Sequence, residues 1–451
     1  MHYVPMGKIG PADVTLERDR HFRIVENLII IVAGISALLG AQGYSRGDAA
    51  NSRLATAYSL VKFGTWYIDR PSDQEPIVFE QRTIDKVVLD GRILSSKPPI
   101  LPLLMAREAS LLHAILGWDM DDEEDLNKIV RVMVMSLIGF AYILAVIFFA
   151  KTLRLFVPDP LTRTVLIFCL SFCTQLWGFS TLVNNHLPAA AMVMAALYFA
   201  LGLGTRKLDP APWRFLAFGF AGGLVPTLDM PATIFIVLAG LYLLAKFPMR
   251  TICWVTPAAA FPLGVHCAIM YQTTGSILPV QVRPELYLAE GSYWRNPRGI
   301  DALNESKGVY LFHMTLGRCG IFSLYPILIG GLAATIRALY KKTVPYRGHI
   351  LVGALGFIIL TAYYGLETNN YGGEAYGFRW YIAAMPVLLL MAAPILMAMR
   401  VRWKWLFMGA MIGISFYSAS QCMKSPWGAN HEWTCKLFLG PTYGPLPDRH
   451  R

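Results

Sequence analysis

Apolar residues along the chain fall in continuous blocks of roughly 17 to 25, not at the three-to-four spacing of an amphipathic soluble helix. A block of that length crosses a hydrocarbon core of about 30 Å, so the pattern predicts an all-α polytopic membrane protein. Spans are expected near residues 27–43, 129–150, 161–182, 187–204, 213–228, 230–246, 252–271, 319–339, 348–364, 380–399 and 405–420. That makes about eleven. Between the fifth and sixth, "PTLDMPAT" places Pro226 and Pro231 where a tight outside turn would sit, with a re-entrant pair as the alternative. The first block follows a mixed-charge segment and precedes no small-residue cleavage pattern, so it reads as a retained span and not as a signal peptide.

Charge then orients the bundle. Hydrophobic residues make up 55% of the 451 and charged residues only 15%, against about 25% in soluble domains, and the mean hydropathy is +0.45. With residues 1–26 cytoplasmic, the short connections Lys151 to Arg154, Arg206 to Arg214, Lys246 to Arg250, Lys341 to Arg347 and Arg400 to Lys404 are all basic and all inside. The net charge of +11 is thus largely topological and argues against a nucleic-acid partner. Basic residues left outside, Arg53, Arg92, Lys97, Arg283, Arg318 and Arg379 among them, point to an anionic ligand at that surface. The expected organisation is a transmembrane unit over 27–420, with extracytoplasmic loops 44–128 and 272–318, and an extracytoplasmic tail over 421–451.

In the first loop "NSRLATAYSLVKFGTWYI" predicts a surface helix with Leu54, Ala57, Tyr58 and Val61 on one face and Gly64 ending it. "KPPILPLLMAREASLLHAILGW" predicts a second interfacial helix whose first turn suits the prolines. The acid run "DMDDEEDLNK" reads as the solvated cap of the next span. Cys169, Cys173, Cys253, Cys267 and Cys319 fall within or at the ends of spans, where cysteine acts as a small apolar residue. Cys422 and Cys435 fall in the tail, an oxidising compartment, and are expected to pair as a disulfide. A metal reading of the tail, with His431 as a third ligand, lacks paired CxxC or HxxxH spacing, so neither a metal nor a cofactor is called for.

The order of these elements resembles the GT-C class of membrane glycosyltransferases, most closely the protein O-mannosyltransferase-like enzymes (glycosyltransferase family 39) and the aminoarabinose transferases of lipid A. "NSRLATAYSLVKFGTWYID" resembles the first surface helix of that class, with Arg53 and Gly64 to Trp66 in register. "TIDKVVLDGRILSSKPP" resembles the segment that carries its KPP signature. "LVNNHLPAA" and "NNYGGEAYGFRWYIAAMP" resemble further elements of bacterial members. The resemblance implies transfer of a sugar from a polyprenyl phosphate donor to a glycan, lipid or protein acceptor on the outer face of a membrane, by analogy the bacterial inner membrane.

That chemistry needs a carboxylate for the acceptor hydroxyl and cations for the departing phosphate. The class places an Asp or Asp-Glu pair where the first span meets the first surface helix. Here Ala50, Asn51 and Ser52 precede Arg53, and Asp48 lies a position or two out of register. Asp85, twelve residues before Lys97, is ranked above Asp48 as base, because a fold-back of the loop would bring it to the same cavity. Lys97 and Arg53 are the expected phosphate ligands, and Arg379 a second cation from across the cavity. Each has a plainer reading: Lys97 as a snorkelling lysine, Arg379 as a span cap paired with Glu374. His186 with Asn185 at an outer helix end, and Asp229 near the outer end of a hairpin, are cavity candidates by polarity. "YWRNPRG" in the second loop suits a sugar or headgroup, or a simple aromatic belt. Two further function classes stay open: a lipid or glycolipid transporter, which should show internal repeats, and a non-catalytic subunit of a membrane complex.

Overall fold

Each apolar block carries a helix. The computed structural model describes residues 11–45, 47–70, 74–289, 305–373, 375–399, 402–427 and 432–438. Among these, six helices are long and apolar enough to cross a membrane: Glu17–Leu39, Glu123–Phe156, His186–Gly204, Pro248–Thr274, Arg347–Glu367 and Trp405–Lys424. Four apolar helices are shorter, Pro160–Phe172, Met230–Lys246, Pro326–Tyr340 and Met385–Met397, and Pro212–Leu228 adds another apolar segment. Together they build a polytopic all-α bundle whose main core draws on residues from Ala33 to Cys422.

Several expected boundaries shift, each for a local reason. The block at 161–182 does not form one span: the helix stops at Phe172, where Cys173 leaves helical geometry at φ −118°, and a short turn of helix, Gln175–Phe179, follows. The break turns Gln175 inward, and its Nε2 donates to the Tyr376 carbonyl at 2.5 Å. At "PTLDMPAT" Pro226 is accommodated inside the helix Pro212–Leu228, and the chain turns only at Asp229, φ −143°. The 3-10 turn Met230–Ala232 then leads into Thr233–Lys246.

The first loop is the most structured part outside the spans. Its first helix, Asp48–Phe63, begins earlier than the apolar stripe suggested and ends at Gly64 in the left-handed region, φ 64°. It does not lie on the surface. Ala49, Ala50, Ala55 and Ala57 are buried together with Asn51, Ser52 and Arg53, because small side chains let the helix backbone settle into the bundle. A two-stranded hairpin follows, Lys86–Leu89 against Arg92–Ser95, closed by Asp90 (φ 50°) and Gly91 (φ 76°). Two successive positive φ values are the signature of the tight turn that Asp-Gly favours. Pro99 sits at the N-cap of the second helix, Ile100–Leu116, one position outside its first turn. This helix buries Leu101, Met105 and Ala109 and exposes Leu104, Leu111 and Ile115, as an interfacial helix should. In the acid run Asp122 caps the next helix by accepting from Asp125 N at 2.9 Å, while Asp121 pairs with Lys62 at 2.6 Å and ties the end of the first loop helix to the turn after the second.

At the opposite end the first helix carries a fully buried carboxylate, Glu26. Arg154 Nε lies 2.8 Å and Arg163 Nε 3.0 Å from its two oxygens, and Arg163 also reaches Asp19 at 2.5 Å. Four charges of alternating sign thereby tie the first, second and third apolar helices at the end expected to be cytoplasmic.

The expected disulfide is not formed. Cys422 lies inside the last long helix, Arg402–Lys424, fully buried with its sulfur against Gly178 and Tyr325; Cys435 sits on the separate short helix Glu432–Phe438. Close packing against a glycine has claimed the thiol that the tail was expected to offer.

Candidate functional site

The hairpin and the first loop helix are stitched together through the very residues that stand where acids were anticipated. Asn51 Nδ2 donates to the Arg82 carbonyl at 3.0 Å, and Ser52 Oγ donates to the Asp85 carbonyl at 2.6 Å. Thr83 Oγ1 donates to the Asp48 carbonyl at 2.8 Å, and Ile84 N donates to Asp48 Oδ1 at 2.9 Å. Asp48 therefore opens the helix with one carboxylate oxygen anchored on the hairpin.

Strand pairing decides where Lys97 goes. Lys86 faces Ser95, so Asp85 stands opposite Ser96, whose N–H donates to the Asp85 carbonyl at 3.1 Å. One residue on, Lys97 Nζ lies 2.8 Å from Asp85 Oδ1. The fold-back expected of this loop is thus present, and it joins the two as an ion pair. Lys97 borders a cleft with Trp66, Ser95, Met270, Thr273 and Thr274, at the C-terminal end of the helix Thr256–Thr274.

Three more groups arrive from the bundle. Arg53, fully buried, donates from Nη1 to the Ala49 carbonyl at 2.7 Å and from Nη2 to Asn185 Oδ1 at 2.5 Å; its Nε is buried with no partner among the described residues. Asn185 Nδ2 donates in turn to the Leu228 carbonyl at 2.7 Å. Next to these, His186 Nδ1 lies 2.7 Å from Asp229 Oδ2, so the start of one helix is bonded to the end of the next. Arg379 comes from the loop before Met385–Met397, its guanidinium carbon 4.5 Å above the Trp427 ring. That loop curls through Gly372, Gly373 and Gly377, all at positive φ.

These side chains feel one another's charge. Burial holds the Asp48 carboxyl above the usual carboxylate range, and the Asp85 charge adds to that, more than the Ile84 N–H and Lys97 offset. Burial lowers the Lys97 ammonium, with Arg53 and Arg379 adding to the effect and Asp85 opposing it. Burial also brings both guanidiniums down to about 10, against the pull of Asp85 and Asp229. Asp48, Asp85 and Asp229 thus form one cluster of opposed charges with Arg53, Lys97 and Arg379, a polar chamber that adjoins the cleft at Lys97. Such a site can accept an anion on its cations and a proton on a carboxylate. Among the described residues no three His, Cys, Asp or Glu side chains are grouped as a metal ion needs. Asp85 is engaged by Lys97 and Asp229 by His186, so this carboxylate set does not fit a metal.

Of the sequence candidates, the fold brings together Asp48, Asp85, Lys97, Arg53, Arg379, Asn185, His186 and Asp229. Glu374, His431 and the run Tyr293 to Gly299 fall outside the described residues. Arg318 stands apart, over Tyr371 at 4.5 Å and 3.9 Å from Glu305. Sequence reasoning missed the hairpin, although "KVVLDGRILS" is an Asp-Gly turn between two β-branched runs. It also missed Trp427, for which no local signal exists.

No family model matches the sequence, and no curated protein matches it. The fold is similar to that of the oligosaccharyltransferase of Archaeoglobus fulgidus. For its apo form the TM-score is 0.50 at 14% identity, covering 90% of this chain and 57% of that one. For the form in complex with an inhibitory peptide and a dolichol-phosphate, the TM-score is 0.48 at 13% identity, covering 94% and 60%. This chain therefore spans less than two thirds of those structures. The likeness is one of fold alone.

Proposed function

We propose that this protein is a membrane glycosyltransferase that moves a sugar from a polyprenyl-phosphate donor to an acceptor hydroxyl on the extracytoplasmic face. The observation that carries the reading is Arg53: a fully buried guanidinium that touches only neutral oxygens and leaves Nε unbonded, in one chamber with Lys97 and Arg379. A buried cation without a carboxylate of its own costs several kcal/mol unless an anion completes it. A phosphate oxygen matches its fork.

In this reading the acceptor oxygen attacks the anomeric carbon, the bond from that carbon to the phosphate oxygen breaks, and the polyprenyl phosphate leaves with one more negative charge. Arg53, Arg379 and Lys97 stabilise that charge as it develops. The acceptor proton passes to a carboxylate. Asp48 takes this role in preference to Asp85, because Asp85 holds Lys97 in place, while burial raises the proton affinity of Asp48 toward that of a working base. His186 and Asp229 fix Asn185, and through it Arg53. The apolar flank of the cleft beside Lys97 suits the first isoprene units of the donor. The chamber would open to the periplasm or exterior, with eleven spans in the membrane.

The test is the purified full-length chain given a polyprenyl phosphate carrying a radiolabelled sugar. Sugar transfer with release of polyprenyl phosphate supports the enzyme. Movement of the donor across vesicles without transfer would make the protein a transporter, and neither would make it a subunit of a larger assembly.

A further inference from the structure

Trp427 lies just beyond the last long helix, yet it is built into the chamber from behind. Its ring carries the Arg379 guanidinium at 4.5 Å and meets Phe179 edge-on at 5.6 Å. It also lies so close to Gly47 that a side-chain carbon there would come within 3.3 Å of the ring. Gly47 is the N-cap of the helix that starts with Asp48, and it holds φ 95°. The neighbouring Pro426 carbonyl accepts from Tyr376 N at 3.0 Å, anchoring the loop that delivers Arg379, and Gln175 Nε2 holds the Tyr376 carbonyl at 2.5 Å. One indole thus touches the segment that carries the proposed base and the residue that carries the far cation, which lie more than three hundred positions apart in sequence.

We propose that Trp427 is a positioning residue for the donor phosphate: its π face holds Arg379 at the chamber while its packing on Gly47 sets the start of the Asp48 helix. The inference rests on the phosphate reading of Arg379 above. A guanidinium over an aromatic face is attracted by the ring quadrupole, most strongly where water is excluded. Leucine fills part of the same space against Gly47 and Phe179 without that attraction, and the melting temperature reports what the lost packing costs. Packing and orientation can therefore be separated.

The experiment is a titration of farnesyl phosphate into the purified full-length protein, followed by calorimetry, with the melting temperature of each variant recorded. Trp427→Leu is expected to weaken binding about 10-fold and Trp427→Phe by no more than about threefold, since phenylalanine keeps a π face. Arg379→Ala is expected to weaken binding at least as much as Trp427→Leu. The double variant should be no weaker than Arg379→Ala alone, because the indole acts through the guanidinium. Multiplying effects in the double variant, or wild-type binding in Trp427→Leu, would overturn the positioning role while leaving the phosphate reading in place. Wild-type binding in Arg379→Ala would overturn Arg379 as a phosphate ligand, and the role of Trp427 with it.

Discussion

Replacing Asp48 by Asn separates its chemistry from its structural part. Asn keeps an oxygen where Oδ1 accepts Ile84 N at 2.9 Å, so the anchor between helix and hairpin survives. It cannot take a proton. A positioned general base contributes about 10²- to 10⁴-fold, or roughly 3 to 5 kcal/mol of barrier at 1.36 kcal/mol per factor of ten. Turnover of Asp48→Asn should therefore fall by that factor, while affinity for farnesyl phosphate stays within about threefold, because Arg53, Lys97 and Arg379 are untouched. Stability should move the other way. Burial and the Asp85 charge raise the Asp48 carboxyl above its unfolded value, so the folded state favours the protonated form. The contribution of such a group is fully present below the unfolded pKa and is lost as pH rises through the folded one. At neutral pH the ionised Asp48 therefore opposes folding and Asn does not. Asp48→Asn should melt at or above the wild type at pH 7, with the gap shrinking as pH falls toward about 4, the ordinary carboxylate value. Turnover assays with a labelled donor and melting curves from pH 4 to 8 read both effects. Normal turnover in Asp48→Asn with loss in Asp85→Asn would refute the assignment, and a melting temperature that falls at pH 7 would refute the electrostatic argument.

Lys97→Ala should abolish transfer and also cost about 1 to 2 kcal/mol of stability, read by thermal melting, because it leaves the mostly buried Asp85 without its partner at 2.8 Å. An exposed lysine would cost no more than about 0.5 kcal/mol. Glu26→Gln should cost about 3 kcal/mol by the same measurement, since it strips the buried Arg163 of one of its two carboxylates and Arg154 of its own. For topology, a cysteine replacing the exposed Gln81 should react with an impermeant maleimide in intact cells, and one replacing Lys341 only after permeabilisation. The reverse pattern would put the chamber on the other face. Native Cys422, fully buried, should stay unlabelled in both.

The membrane class and the fold-back of the first loop onto Lys97 were legible in the sequence because both depend on short-range patterns. A continuous apolar block has one stable fate in lipid, since its backbone must bond to itself. Lys97 and Asp85 lie close enough in the chain for a single loop to bring them together, and the Asp-Gly turn that does so is itself a local signal. Contacts between distant segments were not legible. Arg379 and Trp427 reach the chamber from the far end of the chain, and His186 meets Asp229 only because two helices end side by side. The same limit hid the burial of Cys422 against Gly178, which removes the expected disulfide. The Lys97–Asp85 ion pair, which moves the proposed base to Asp48, comes from side-chain placement within that local fold-back. Composition and periodicity settle which segments leave water. Which polar side chains then share one buried chamber depends on how those segments pack, because a charge is tolerated there only beside the partners that packing supplies.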